Sequence, residues 1–367
     1  MDSDPTIERL EVSVYRVPTD APEADGTCAW DSTTMVLVQA HAGGATGLGW
    51  SYAPAACASL ITELLQPAVI GLPVLDVGRA SASMLQAVRN ASRPGTVGYA
   101  ISAVDCALWD LKARLLELPL HRLLGTILDK VPVYGSGGFT SYDDRQLTDQ
   151  LTGWALEQGI PRVKIKIGES AGTRTARDLA RMRQARTVIG PDVELFVDAN
   201  GGYTAKQAIR VMTEARDLNI HWLEEPVSSD NLTGLREVRD RVDADVAAGE
   251  YGTDLLYYQR LCAANALDCV QTDVSRCGGI TQWLRIASLA EAYGLEISGH
   301  CAPHLSVHVA AATPNFRHLE WFHDHVRIET NFFDGCLDPA GGTLTPSTAP
   351  GNGLSLRSAD MAPYRIG

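Results

Sequence analysis

Along the first part of the chain apolar and polar residues alternate. "IERLEVSVYRVP" (7–18) and "TTMVLVQAHAGG" (33–44) have the two-residue period of half-buried strands, and "GATGLGWSY" offers a short third strand. The turn-rich segment between the first two, "GTCAWDSTT" (26–34), reads as a hairpin loop that closes over a pocket. The period then lengthens. Residues 98–117, "GYAISAVDCALWDLKARLLE", are apolar on one helical face and predict a long helix.

From residue 131 the pattern becomes one of short β-rich runs, each followed by a helical pattern. The runs are "VPVYGS" (131–136), "RVKIKIG" (162–168), "VELFVDAN" (193–200), "IHWLEEP" (220–226), "DVAAGE" (245–250), "DCVQTD" (268–273), "LEISGH" (295–300) and "RHLEW" (317–321). Helix-like segments fill the intervals, among them 204–217, 231–241, 253–264 and 279–293. Strands alternating with helices imply parallel pairing through right-handed crossovers. Eight such units close a TIM barrel, with a doubly wound open sheet as the alternative. The tail 341–358 is turn-rich with strand-like pieces and is expected to pack back on the N-terminal part. The fold expected is therefore α/β. It comprises an N-terminal α+β part (1–128), a (β/α) barrel (129–335) and a C-terminal segment (336–367) that packs back on the first part.

Composition narrows the function classes. The chain has 367 residues, 45% of them hydrophobic, with a formal net charge of −13, which argues against nucleic acid or an anionic membrane as partner. An anion must then be held by a local device, a metal or a few placed cations. Eight cysteines occur singly without a C-x-x-C pair, as in a reduced cytoplasmic protein. The start "MDSDPTIERL" lacks a signal-peptide pattern, and no apolar run reaches the ~18 residues of a membrane helix. There is no P-loop, and Gly278-Gly279 is a local turn signal, so neither ATP nor NAD is indicated.

The charges inside the barrel-like runs are the informative feature. Asp198, Glu224, Glu250 and Asp273 each close an apolar run, at intervals of 26, 26 and 23 residues, about one β/α unit each. His300 and Glu320 occupy the next two strand ends. One acid after a strand is ordinarily a helix N-cap, but four in register place carboxylates at the barrel face where active sites are built. Clustered oxygen donors select Mg²⁺ or Mn²⁺ over zinc. Lys164 and Lys166 share one face of the strand "VKIKIG", with Ile165 and Ile167 on the other. Beside an acid ring they point into the barrel mouth, where a metal and a second ammonium should lower a lysine's pKa and suit it to act as a base. Asp273 and His300 end neighbouring strands and can form a dyad. A lysine faces that dyad across the mouth, an arrangement for moving a proton α to a carboxylate.

These residues resemble the enolase superfamily, and within it the mandelate racemase subgroup. "SAVDCALWDL" (102–111) is similar to the family's capping domain, and "VDAN", "LEEP" and "AGE" to its metal-binding strand ends, which implies an α+β capping domain over 1–128 completed by the C-terminal tail, and a modified TIM (β/α) barrel over 129–335. The resemblance implies Asp198, Glu224 and Glu250 as Mg²⁺ ligands and Lys166 as base on one substrate face, with Lys164 contacting the substrate carboxylate. It implies His300 with Asp273 as acid/base on the other face and Glu320 as a hydrogen-bond partner of the carboxylate. Asn200, in D-x-N, would support the site. The sister groups that carry a catalytic lysine at the sixth strand end differ, because that region here reads "TDVSRCGG". Trp30 and Asp31 in the 26–34 segment, and His323 and His325 after the last strand, are candidate substrate contacts, although the latter pair also suits a plain polar loop. The expectation is a cytoplasmic, homo-oligomeric Mg²⁺-dependent dehydratase of an acid sugar. Racemisation or epimerisation of a 2-hydroxy acid is the alternative, and a non-catalytic metal-binding relative a further one.

Overall fold

The computed structural model describes residues 4–92 and 94–367. Three antiparallel strands, β1 (Arg9–Ala24), β2 (Ala29–Ala42) and β3 (Ala45–Tyr52), form the N-terminal sheet. Val14, Val36, Val38 and Ala40 are buried on its inner face, against the helix Thr96–Leu115. A Cβ at Gly47 or Gly49 would overlap backbone atoms of that helix, so glycine at both positions lets strand and helix touch directly.

Eight parallel strands follow. They are β4 (Val131–Gly137), β5 (Arg162–Lys166), β6 (Glu194–Asp198), β7 (Ile220–Glu224), β8 (Asp245–Ala248), β9 (Cys269–Thr272), β10 (Glu296–Gly299) and β11 (Phe316–Phe322). Each pairs with the next, and β11 pairs with β4, so the sheet closes and the open-sheet alternative falls. Side-chain alternation sorts the barrel's two surfaces. Ile165, Ile167, Leu195 and Val197 join the large core shared with the outer helices, among them Leu179 and Met182 of Thr175–Ile189. Tyr134, Phe196, Trp222, Ala247 and Cys269 form a separate cluster that fills the barrel interior. Lys164 lies beside Phe196 in the ladder, and Lys166 one step higher beside Asp198, which is itself beside Glu224. The register thus lifts the charged layer onto an aromatic plug.

The tail makes two sets of contacts. Thr343–Leu344 adds antiparallel to the start of β4. Beyond it, Asn352 donates its backbone N–H to Asp110 at 2.6 Å, and Ile366 donates to the Val14 carbonyl at 2.8 Å. The contact with the N-terminal part is there, and so is one with the barrel that the turn-rich sequence did not suggest.

The segment 26–34 departs from expectation. It is not a loop: β1 continues to Ala24 and β2 begins at Ala29, with a register shift between Pro18 and Glu23. The turn at residues 25–28 is held by Asp25 Oδ1, which accepts from the backbone of Thr27 at 2.6 Å and Cys28 at 2.7 Å. The result is a long two-stranded arm with a tight turn at its tip.

Candidate active site

The arm comes down on the barrel mouth. A Cβ at Gly26 would lie 2.6 Å from the Ala199 carbonyl oxygen and 2.7 Å from that of Ile167, so the arm's tip rests on the ends of β5 and β6. Between arm and mouth is an open cleft of about 480 Å³. Lys166, His300, Glu250 and Glu320 are at its floor, and Trp30, Ser32, Thr33, Tyr52 and His325 are among its walls.

On one side of the floor the Lys166 ammonium is 2.5 Å from Asp198 Oδ2. Lys164, deeper, is 2.5 Å from Glu224 Oε1, 2.8 Å from Glu320 Oε1 and 5.4 Å from the Tyr134 ring centroid. On the other side His300 Nδ1 lies 2.7 Å from Asp273 Oδ2. A carboxylate only accepts, so Nδ1 carries the proton and Nε2 faces the cleft. Around Nε2 stand Glu250 Oε2 at 3.3 Å, Cys301 Sγ at 3.3 Å and Glu320 Oε2 at 3.5 Å. Asp273 is itself fixed, since its Oδ1 accepts the Ser275 backbone N–H at 2.7 Å. The residues just past these strand ends are bent into the left-handed region without being glycine: Asn200 at φ 44°, Glu225 at 39° and Cys301 at 48°. Such backbone is costly, and it is concentrated at the mouth.

Asp198, Glu224 and Glu250 bring ligand oxygens within 4.8 Å of one another, all buried. Burial, then the neighbouring Asp198, pushes the Glu224 carboxyl up to about 8. Glu250 Oε2 makes no hydrogen bond of good geometry, its neighbour being His300 Nε2 at 3.3 Å. Three crowded, buried oxygen donors fit a hard divalent cation such as Mg²⁺ and offer nothing to a thiophilic one.

The lysines reverse one expectation. Burial would lower both, but the Asp198 carboxylate holds Lys166 above its usual value, and Glu224 and Glu320 hold Lys164 well above. Ion pairing with carboxylates, not the second ammonium, dominates in the protein without a cation. Burial likewise opposes charge on His300, yet Cys301, Glu250 and Glu320 keep its imidazole well above the ordinary range.

Of the remaining candidates, Trp30, Asn200 and His325 line the cleft, His325 stacked on Tyr52 at 3.4 Å between centroids. Asp31 and His323 do not. Asp31 is exposed on the arm and accepts from Ser32, and His323 Nε2 is 2.9 Å from Asp20 at the rim. Sequence reasoning missed Ser136, which donates to Glu320 Oε1 at 2.6 Å, and Arg276, 3.4 Å from Glu250 and 3.3 Å from Asp273. It also missed Cys301, for which adjacency to His300 was the available signal.

Residues 9–125 match the family described as mandelate racemase / muconate lactonizing enzyme, N-terminal domain, and residues 146–360 the enolase C-terminal domain-like family. The chain belongs to the enolase superfamily, in its mandelate racemase/muconate lactonizing enzyme subgroup. Within that family it is 31% identical, over 85% of its own length and 78% of the relative's, to the L-talarate/galactarate dehydratase of Salmonella typhimurium. A mandelate racemase/muconate lactonizing enzyme-like protein from Rubrobacter xylanophilus superposes with a TM-score of 0.95 at 48% identity, covering 98% of this chain and 100% of that one. A Streptomyces coelicolor racemase with bound magnesium superposes at 0.92 with 29% identity, over 98% and 100% of the two chains. No helix among the described residues is long and apolar enough to cross a membrane.

Proposed function

We propose that this enzyme uses Mg²⁺ to remove the proton α to the carboxylate of an acid sugar, and that the β-hydroxyl is then lost to give a 2-keto-3-deoxy acid. The observation that carries the reading is the opposition of Lys166 and His300 across one cleft, with Asp273 fixing the histidine's tautomer at 2.7 Å. Asp198, Glu224 and Glu250 are the residues that would hold the metal. When bound, magnesium supplies positive charge beside the substrate carboxylate, where negative charge builds as the proton leaves.

The chain's own groups divide the rest of the work. Lys164 lies deepest and receives the substrate carboxylate by charge; Glu320 beside it adds a hydrogen bond only in its protonated form, since two carboxylates can only accept. Lys166 becomes basic once Asp198 is engaged elsewhere, and takes the α-proton. His300, held protonated by its carboxylate neighbours, gives the Nε2 proton to the departing β-hydroxyl. The C–O bond breaks, water leaves, and the resulting enol collapses to the ketone. The same opposed pair favours a second reading, racemisation or epimerisation, in which His300 returns a proton to the other face. A non-catalytic, metal-holding role is the third.

Aldonic and aldaric acids incubated with the Mg²⁺-loaded enzyme in D₂O separate these readings. Dehydration yields 2-keto product, and racemisation or epimerisation yields α-deuterium in recovered substrate. Lys166→Ala should lower either by about 10²–10⁴-fold. Neither product nor exchange with any acid would overturn the proposal and leave the non-catalytic role.

A further inference from the structure

Among the described residues, three groups of side chains bring metal-binding atoms within 4.8 Å of one another. Asp198, Glu224 and Glu250 are the proposed magnesium ligands, and Asp20, Glu23 and His323 lie at the rim. The third group, His300, Cys301 and Glu320, lines the cleft and is the one that contains a thiol.

Its donor atoms form a nearly equilateral triangle. Cys301 Sγ is 3.3 Å from His300 Nε2 and 3.3 Å from Glu320 Oε2, and Nε2 is 3.5 Å from Oε2. A tetrahedral zinc ion, with bonds of about 2.3 Å to sulfur and about 2.1 Å to nitrogen or oxygen, spaces its ligands about 3.4–3.6 Å apart. The triangle closes on such an ion with only small shifts.

Each corner is held from behind. Asp273 accepts from His300 Nδ1–H at 2.7 Å, the carboxylate backing that metal-bound histidines ordinarily have, and Nε2 is left to bind. Glu320 Oε1 accepts from Ser136 at 2.6 Å and from the Lys164 ammonium at 2.8 Å, so Oε2 is the oxygen turned to the triangle. Cys301 is placed by its left-handed backbone at φ 48°, and its N–H donates to Glu320 Oε2 at 3.2 Å. Burial, then Glu320, raises the Cys301 thiol above its usual value, so it stays S–H until a cation displaces the proton. Mg²⁺, which takes an octahedron of oxygens, does not displace it; zinc and similar thiophilic ions do.

We infer that His300, Cys301 and Glu320 form a second metal site, for Zn²⁺ or a like thiophilic divalent cation, beside the magnesium site. Binding sends the protons of Cys301 Sγ and His300 Nε2 to solvent and leaves the metal on sulfur, nitrogen and oxygen. The site stands on this geometry, and its effect rests on the α-proton reading. With Nε2 coordinated, His300 has no proton to deliver, and Glu320 is withdrawn from the substrate carboxylate. The ion is thus an off-switch that competes with substrate and uses no magnesium ligand.

The probes are Co²⁺ and Zn²⁺, each added to enzyme in saturating Mg²⁺. We expect Co²⁺ to give the near-ultraviolet thiolate-to-cobalt charge-transfer band in the parent, and Zn²⁺ to bind one equivalent by calorimetry. Cys301→Ser should abolish the band and weaken Zn²⁺ at least about tenfold. Cys28→Ser, which alters the exposed thiol of the same cleft, should leave band and affinity unchanged. With an acid that the parent turns over, Zn²⁺ at about ten times its Kd should raise the apparent KM about tenfold, and added Mg²⁺ should not reverse it. A parent without the band, Zn²⁺ binding that Cys301→Ser does not weaken, or Zn²⁺ displaced by excess Mg²⁺ would each overturn the site. A parent that shows the band but turns over no acid keeps the site and loses the α-proton reading. Turnover that Zn²⁺ bound at the site does not slow overturns the switch.

Discussion

Asp273 is the residue on which the proposed acid's identity depends. Its Oδ1 is claimed by the Ser275 backbone N–H at 2.7 Å and its Oδ2 by His300 Nδ1 at 2.7 Å. In Asp273→Asn the amide oxygen must keep the backbone donor, which turns the NH₂ toward His300. Nδ1 would then have to accept, so the ring would be held neutral with its proton on Nε2, a far weaker acid than the imidazolium that the carboxylates sustain. We expect turnover to fall by about 10²–10⁴-fold while the rise in Tm on adding Mg²⁺ is retained, since no proposed metal ligand is touched. A variant with near-parental kcat would show that the charge on His300 does not matter. The dyad could be read from the chain because both residues end apolar runs. The state of the lysines could not, because it depends on Asp198 and Glu224 lying within 2.5 Å of them, a matter of register and not of pattern.

At the scale of elements, the arm shows where pattern fails. β1 and β2 lose hydrophobic alternation beyond Pro18 and before Thr33, because one face there meets the cleft and the rim, not a core. A strand held by backbone pairing, as at Glu23 with Trp30, leaves no apolar signature and reads as loop. The barrel strands were legible for the opposite reason: each has one face in the outer core, and all but β4 carry an ionisable residue at or just past the end. The arm's hold on the barrel rests on Gly26, whose missing Cβ lets the tip approach the Ala199 and Ile167 carbonyls while its own oxygen accepts from Ala171 at 2.8 Å. Gly26→Ala should push the tip away from β5 and β6 and open the cleft. We expect KM to rise about tenfold, with Tm close to that of the parent because little core is disturbed. Steady-state kinetics beside a thermal melt decide it; unchanged KM would mean that the tip's seat is irrelevant to binding.

At the scale of the whole molecule, one buried histidine links three parts of the chain. His308, on the barrel helix Pro303–Ala311, donates Nε2–H to the Asn352 carbonyl of the tail at 3.0 Å, and its ring lies 6.0 Å from that of His121 in the segment joining cap to barrel. Its Nδ1 has no partner, and burial, then His121, lowers its pKa from 6.5 to about 3. The sign follows from the proton count. Below pH 6.5 the unfolded chain takes up a proton at this site that the folded chain refuses until about pH 3, so the contribution is complete above 6.5 and is lost as pH falls toward 3. The slope for one such group is about 1.4 kcal/mol per pH unit, a few kcal/mol over the window. His304, raised to about 9 although burial opposes it, has the opposite sign: its contribution is complete below pH 6.5 and is lost as pH rises through 9, so it adds no slope on the acid side. His308→Gln keeps a donor for Asn352 and removes the titration. Urea unfolding between pH 6 and 4 should therefore give the variant a shallower loss of stability than the parent, by up to one proton's slope. Parallel curves would mean that His308 is protonated within the folded protein, and that the acid limb belongs to other groups, such as His318 and His325, which burial also holds well below their usual range.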